Sequence, residues 1–258
     1  MDFIDYDFGA IIMIVNGDNF NIINPALFKH SVEGIRQSIA TPDSFYCSDN
    51  VICWNRNLSF MSDESFMEIM RRNATSNVEM TIIWRTYILC HFAKLARRLP
   101  GDFVEVGAYK GNTANVIADK IDLASTGKQY YLYDAFEHTG TEVNHAMPEH
   151  SSELYTKVKE RFSEYPFVKV IKGYVPESFE QGFPEQIAFA HIDLNQAPAE
   201  VEALKRIVPR MVSGSVLVLD DYGWWCYRAQ KEAEDPLLAE FGLDVLELPT
   251  GQGIVIKP

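Results

Sequence analysis

Phe103-Val104-Glu105-Val106-Gly107-Ala108-Tyr109-Lys110-Gly111 is the stretch that decides the fold. An apolar run ends at a carboxylate, turns through two glycines and enters Asn112-Thr113-Ala114-Asn115-Val116-Ile117-Ala118, which reads as a helix. Strand, tight turn and helix start, in that order, mark the place where open α/β sheets bind a nucleotide-like ligand. Glycine lets the backbone come close, and free N–H groups at the helix start point outward. The spacing is E-x-G-x-x-x-G, and the dinucleotide fingerprint G-x-G-x-x-G is absent. An acidic residue at the strand end suits a ligand with a cationic or hydroxyl-bearing part better than a pyrophosphate. A glycine turn in any α/β domain would read similarly, so the rest of the chain has to decide.

Downstream of Pro100-Gly101 the pattern alternates. Strands are expected at 102–106, 129–134, 167–172, 186–193, 214–220, 243–248 and 252–257, with helices between most of them. Such alternation implies a mostly parallel sheet covered on both faces. The last two strands are joined only by Pro249-Thr250-Gly251-Gln252. That loop is too short for a parallel crossover, so the pair must be antiparallel. A parallel sheet closed by an antiparallel last strand resembles the class I S-adenosylmethionine (SAM)-dependent methyltransferases, an α/β, Rossmann-like fold, as does the glycine loop.

Residues 1–77 read as a cap or lid and 78–258 as the main domain. Ile11–Val15 and Phe20–Ile23 flank Asn16-Gly17-Asp18-Asn19, a pattern that predicts a small hairpin. Pro25 opens a helix to about Ile39, Ser62 to Arg72 forms a second, and Ser76-Asn77-Val78-Glu79 has capping-box spacing for a long third helix ending near Arg97-Arg98. The polar and aromatic segment Asp49–Asn57 reads either as a lid or as a surface loop packed through Trp54.

Composition narrows the function. The 258 residues, 47% hydrophobic, can bury a full core. A net charge of −13 argues against nucleic acid and anionic membrane surfaces as partners. Cys47, Cys53, Cys90 and Cys226 form no C-x-x-C pair, so free thiols in a reducing cytoplasm are expected. The acidic N-terminus is unlike a signal peptide. The longest apolar candidate, Thr81 to Leu95, is interrupted by Arg85, His91 and Lys94. A cytoplasmic protein is therefore expected.

Three strands end in acid. Gln129–Tyr133 leads to Asp134, 27 residues after Gly107, against the usual ~20 for an acid that accepts both hydroxyls of a ribose. A helix cap or loop carboxylate is the plainer reading. Ala188–Ile192 leads to Asp193, and Val216–Leu219 leads to Asp220-Asp221. Carboxyl ends of neighbouring strands line one crevice, so these acids would converge, at a cost in repulsion and desolvation. A divalent cation resolves that cost, with Mg²⁺ favoured by an all-oxygen set and Mn²⁺ or Ca²⁺ as alternatives. The other reading has one acid in the crevice and the rest bonding backbone.

Gly101–Gly107, Asp134-Ala135-Phe136-Glu137, His191-Ile192-Asp193-Leu194-Asn195 and Leu219-Asp220-Asp221-Tyr222 resemble the macrocin O-methyltransferase (TylF/MycF-like) family. The resemblance covers roughly 78–258. It implies a Mg²⁺-dependent O-methyltransferase acting on sugar hydroxyls of natural products. It places SAM contacts on Glu105, Gly107, Tyr109, Gly111, Asp134 and the Gly173-Tyr174 turn, and metal ligands on Asp193, Asp220 and Asp221; Phe136 and Asp193 are expected beside the cofactor as well.

One departure stands out. The family reads Asp-Gly-Asp after the fourth strand, its second Asp being the favoured general base, and this chain reads Asp193-Leu194-Asn195. Asparagine cannot take a proton at neutral pH. The lysine that catechol-type relatives carry is Gln196 here. The catalytic candidates are therefore Asn195 as an orienting group and His138 or His191 as the base, with His145 in the same loop as His138. Trp224, Trp225, Tyr222 and Tyr227 could wall an acceptor pocket or pack the next helix. The expected partner is a small-molecule hydroxyl acceptor, a polyhydroxylated one such as a sugar moiety, with a homo-oligomer left open. A catechol-type phenol acceptor and a SAM-binding protein without transfer activity are the alternatives.

Overall fold

The computed structural model describes residues 15–138 and 147–258. The chain divides into two compact units, one up to Trp84 and one over Arg85–Pro258. The division falls a few residues later than the 77/78 boundary expected from sequence, and inside a helix.

The first unit carries strand β1 (Val15–Asn16), helix α1 (Pro25–Ser38), strands β2 (Tyr46–Ser48) and β3 (Val51–Cys53), and helices α2 (Glu64–Asn73) and α3 (Asn77–Thr81). The predicted hairpin is not formed. Val15 and Asn16 pair in parallel with Tyr46 and Cys47, Phe20–Ile23 is not a strand, and residues 11–14 lie outside the described residues. The hairpin of this unit is β2–β3, turned by Asp49 and Asn50 at φ 52° and 57°. Two positive φ values in a two-residue loop match the twist of the strands, and Asp and Asn tolerate them. Trp54 follows this hairpin and is about half exposed. Helix α1 starts on Pro25 behind an Asn24 side chain that accepts the Leu27 N–H. The Ser76/Glu79 capping box forms as predicted. The long helix it was expected to open breaks at Ile82, giving α3 and then α4 (Ile83–Ala96).

In the second unit follow β4 (Asp102–Val106), α5 (Asn112–Lys120), β5 (Tyr130–Asp134), α6 (Leu154–Arg161), β6 (Val168–Lys172), β7 (Ile187–Ile192), α7 (Ala197–Ile207), β8 (Met211–Leu219), α8 (Arg228–Glu240), β9 (Leu246–Glu247) and β10 (Gly253–Ile256). They build a seven-stranded sheet in the order β6-β5-β4-β7-β8-β10-β9. The first five strands are parallel and β10 is antiparallel to both β8 and β9, as the short 249–252 loop required. Only Leu246 and Glu247 of the expected 243–248 strand pair, both exposed at the sheet edge.

Alternation along the strands divides the sheet into two chemically different faces. Val104, Val106, Tyr131, Tyr133, Ala190, Ile192, Leu217 and Leu219 belong to one apolar core with Ala203, Leu204 and Ile207 of α7 and Leu238 of α8. Phe103, Glu105, Tyr130, Leu132, Phe189, His191, Val216 and Val218 take the other face, and all are buried. Strand order runs outward from β4 to β6 and then reverses to β7 and β8. The reversal between β4 and β7 is the point where the loops part and leave a crevice at the carboxyl ends. No described helix is long and apolar enough to cross a membrane.

Candidate functional site

The crevice opens where the topology requires. A cleft of about 830 Å³, partly open to solvent, is lined at the ends of β4, β5, β6 and β7 by Gly107, Tyr109, Asp134, Ala135, His138, Gly173, Tyr174, Asp193, Leu194 and Asn195, among others.

Three of its loops hold non-glycine residues in the left-handed region: Tyr109 at φ 45° after β4, Phe136 at 59° after β5 and Asn195 at 58° after β7. Backbone strain of this kind collects at ligand sites. Gly107 shows how tightly the loops meet. Its φ is +93°, and a Cβ there would stand 1.8 Å from the Asp193 carbonyl oxygen. Gly107 thus keeps the β4 turn pressed against the end of β7. Gly111, at φ +73°, precedes α5, and a Cβ on it would strike the Phe162 ring.

Asp134 stands on the cleft wall with its carboxylate already oriented. Its Oδ2 accepts the Tyr109 N–H at 2.7 Å and its Oδ1 the Phe136 N–H at 2.5 Å, with His150 Nε2 3.8 Å away. Burial pushes this carboxyl up, while the Phe136 and Tyr109 N–H groups and His150 oppose the shift. The β4 and β5 loops are thereby tied to one side chain. A cradle kept open by a glycine beside a fixed acid fits the ribose and methionyl parts of SAM.

Several sequence-derived contacts lie elsewhere. Glu105 is buried in the sheet, accepting the Tyr130 hydroxyl at 2.6 Å, and does not line the cleft. Phe136 is fully buried and meets the site only through its N–H. Gly111 is likewise off the wall. His138 and Asn195 line the cleft, whereas His191 lies beneath it, 2% exposed. His145 lies outside the described residues. Tyr222 turns away to bond Asp235 and Lys231 of α8, and Trp225 is exposed under Arg228.

Below the cleft floor runs a buried chain of charges. His191 sits between Glu105 (Nδ1 to Oε1, 3.6 Å) and Asp220 (Nε2 to Oδ1, 3.4 Å). Burial disfavours the imidazolium, but the two carboxylates outweigh burial and carry its pKa up to about 10. Arg85 of α4 places Nη1 2.7 Å from Asp220 Oδ2 and 3.2 Å from Asp221 Oδ1, and its guanidinium lies over the Trp224 ring. Gln252 Nε2 donates to Asp220 Oδ1 at 3.0 Å. Despite deep burial, Arg85 and His191 hold the Asp220 carboxyl well below the usual carboxylate range. Asp193 is pushed the other way, first by burial and then by Asp220 and Asp221. It accepts the Asn195 side-chain N–H at 3.2 Å.

Of the predicted ligands, Asp193 and Asp220 come together, with His191 rather than Asp221 as the third member of the group. Among the described residues, ligand atoms of His191, Asp193 and Asp220 lie within 4.8 Å of one another. The donor set, as arranged, does not fit a divalent ion. Arg85 already brings a positive charge onto Asp220 and Asp221, and Gln252 donates to the second Asp220 oxygen, so a divalent ion there would sit at repulsive range from the guanidinium. Arg85 and Gln252 escaped sequence reasoning because each meets the acids from far along the chain. His150, beside Asp134, had no local motif to mark it.

Residues 104–222 match a family model described as a methyltransferase domain. No curated protein matches the chain. Among solved structures, the chain is similar to the O-methyltransferase NovP (17% identity, TM-score 0.58, 68% of this chain and 80% of that one). It is also similar to the calicheamicin methyltransferase CalS11 (14%, 0.56, 94% and 98%). A third is the O-methyltransferase TomG from Streptomyces achromogenes, solved with SAM (11%, 0.52, 76% and 91%). This is the class I SAM-methyltransferase fold. At these identities the likeness speaks for the fold, and the residues above carry the rest.

Proposed function

We propose that the chain is a SAM-dependent O-methyltransferase acting on a hydroxyl of a polyhydroxylated small molecule such as a sugar. The observation that carries this reading is the cleft at the β4/β7 reversal, with Gly107 against Asp193 and the Asp134 carboxylate fixed by two loop N–H groups. The matched methyltransferase domain spans these residues. Support for the acceptor class comes from CalS11, described as a TDP-rhamnose 3'-O-methyltransferase.

SAM, when bound, supplies a methyl group activated on a sulfonium. Asp134 would accept the ribose hydroxyls, since each carboxylate oxygen keeps a lone pair beyond its loop N–H. Gly107, Tyr109, Gly173 and Tyr174 form the backbone wall, and Asp193 offers a hydrogen-bonding carboxyl to the methionyl end. Asn195 orients the acceptor by hydrogen bonds from the cleft wall. His191, buried beneath the cleft between two carboxylates, does not reach its wall and is not assigned as the base. We assign that role to His138, whose ring nitrogen would take the acceptor proton. A proton-transfer group positioned in this way is worth about 10²–10⁴ in rate.

Calorimetry with S-adenosylhomocysteine tests the reading. The chain is expected to bind it at micromolar affinity, about −8 kcal/mol. Asp134→Ala should weaken binding by about 1–3 kcal/mol through lost charge-assisted bonds. Equal affinity in that variant would remove Asp134 from the site, and no binding by the parent chain would remove the reading.

A further inference from the structure

We infer that Arg85 takes the place of a divalent cation in the acid cluster under the cleft, so that the chain binds no metal there. Two neighbouring buried carboxylates need compensating charge, and an exchangeable ion is one way to supply it. Here the charge is covalently tethered. One guanidinium nitrogen lies 2.7 Å from Asp220 and 3.2 Å from Asp221, and Arg85 is only 8% exposed. Nη1 carries two N–H groups, so this one nitrogen can donate to both carboxylates. The Trp224 ring, 5.3 Å from the guanidinium carbon, holds the group from a further side.

The neighbours point the same way. The second oxygen of Asp220 receives Gln252 and faces His191. Asn195 donates an amide N–H to Asp193 Oδ1. A cation entering the cluster would have to expel Arg85 or sit beside it at repulsive range. Asp220 and Asp221 also lie off the cleft wall. The inference rests on the methyltransferase reading only for its turnover arm.

The test uses the full chain, stripped with EDTA and titrated with Mn²⁺ while the free ion is followed by electron paramagnetic resonance. S-adenosylhomocysteine binding is measured on the same sample. The parent is expected to bind no Mn²⁺ with a Kd below about 1 mM. Arg85→Met uncovers the acids and should bind one Mn²⁺ about 100-fold more tightly, with a melting temperature that rises on adding the ion. Arg85→Lys keeps the tethered charge and should behave as the parent does. One Mn²⁺ bound to the parent below about 1 mM overturns the inference, as does a folded Arg85→Met that gains no affinity. If Arg85→Met does not fold, the parent titration still decides. Turnover that survives EDTA supports the inference, and turnover lost to EDTA and restored by Mn²⁺ refutes it. Failure to bind S-adenosylhomocysteine would remove the methyltransferase reading and leave the metal result standing.

Discussion

Replacing Gly107 by alanine probes the place where the two halves of the sheet part. Two costs add. The backbone sits at φ +93°, which penalises an L side chain by about 1–2 kcal/mol. The new Cβ would lie 1.8 Å from the Asp193 carbonyl oxygen and 2.6 Å from its carbon. Relief requires a shift of about 1.5 Å to reach normal contact. Neither side gives easily: the Gly107 N–H donates to Tyr133 at 2.8 Å, and the Asp193 N–H donates to Val106 at 2.8 Å. Overpacking of this kind adds about 1–3 kcal/mol. For a chain of this size the sum lowers the melting temperature by roughly 10 °C. Gly127→Ala is the control, since its φ is +75° but its Cβ would meet nothing within 4 Å. It should lose only the backbone part, about 1–2 kcal/mol. Calorimetry should also show S-adenosylhomocysteine bound at least about 10-fold more weakly by Gly107→Ala and unchanged in the control, a difference of about 1.4 kcal/mol. If Gly107→Ala melts and binds like Gly127→Ala, the close approach of the β4 and β7 loops is not what shapes the cleft.

Three further expectations follow from other parts of the site. Glu200 and Glu234, buried between α7 and α8, are both raised by burial, and Glu234 adds to the rise at Glu200. The folded chain thus keeps protons that the unfolded chain releases near ~4.3, and the stability they contribute is full below that value and lost as pH rises. Melting curves of Glu234→Gln between pH 5 and 8, a window of about three units, should fall less steeply than the parent's; parallel curves would show that this pair does not hold extra protons in the folded chain. Asn195→Asp removes the amide donor to Asp193 and crowds a further carboxyl against it, so activity should drop with S-adenosylhomocysteine affinity nearly unchanged. An Asn195→Asp variant as active as the parent would show that the amide is not needed. His138→Gln should lower kcat by at least about 100-fold at constant cofactor affinity, and parental turnover would move the proton acceptor elsewhere.

The fold was legible because its signals are local. Buried parallel strands read as continuous apolar runs, and the four-residue link before β10 permits only one strand direction. The cleft residues Gly107, Asp134, Asp193 and Asn195 were legible for the same reason, each standing at a strand end. The charge compensation was not. Arg85 meets Asp220 across 135 positions of sequence, and on its helix it reads only as an interruption of an apolar run. Convergent acids therefore suggested a missing cation, although the chain carries one of its own. The predicted β-hairpin failed through pairing rather than propensity: Val15 and Asn16 find their partner in Tyr46 and Cys47, a choice no local pattern records. The break at Ile82 had no proline or glycine to announce it.

The buried row Asp221–Arg85–Asp220–His191–Glu105–Tyr130 has an evolutionary consequence. Each member compensates the next, so a single exchange strands a charge away from water at a cost of several kcal/mol. Drift at these positions is therefore coupled, and related sequences should differ from this one by blocks rather than one letter at a time. Where an arginine stands at the position of Arg85, the acids and the histidine should stand with it. Where it is lost, the histidine should change too, or a different source of positive charge should enter the lineage.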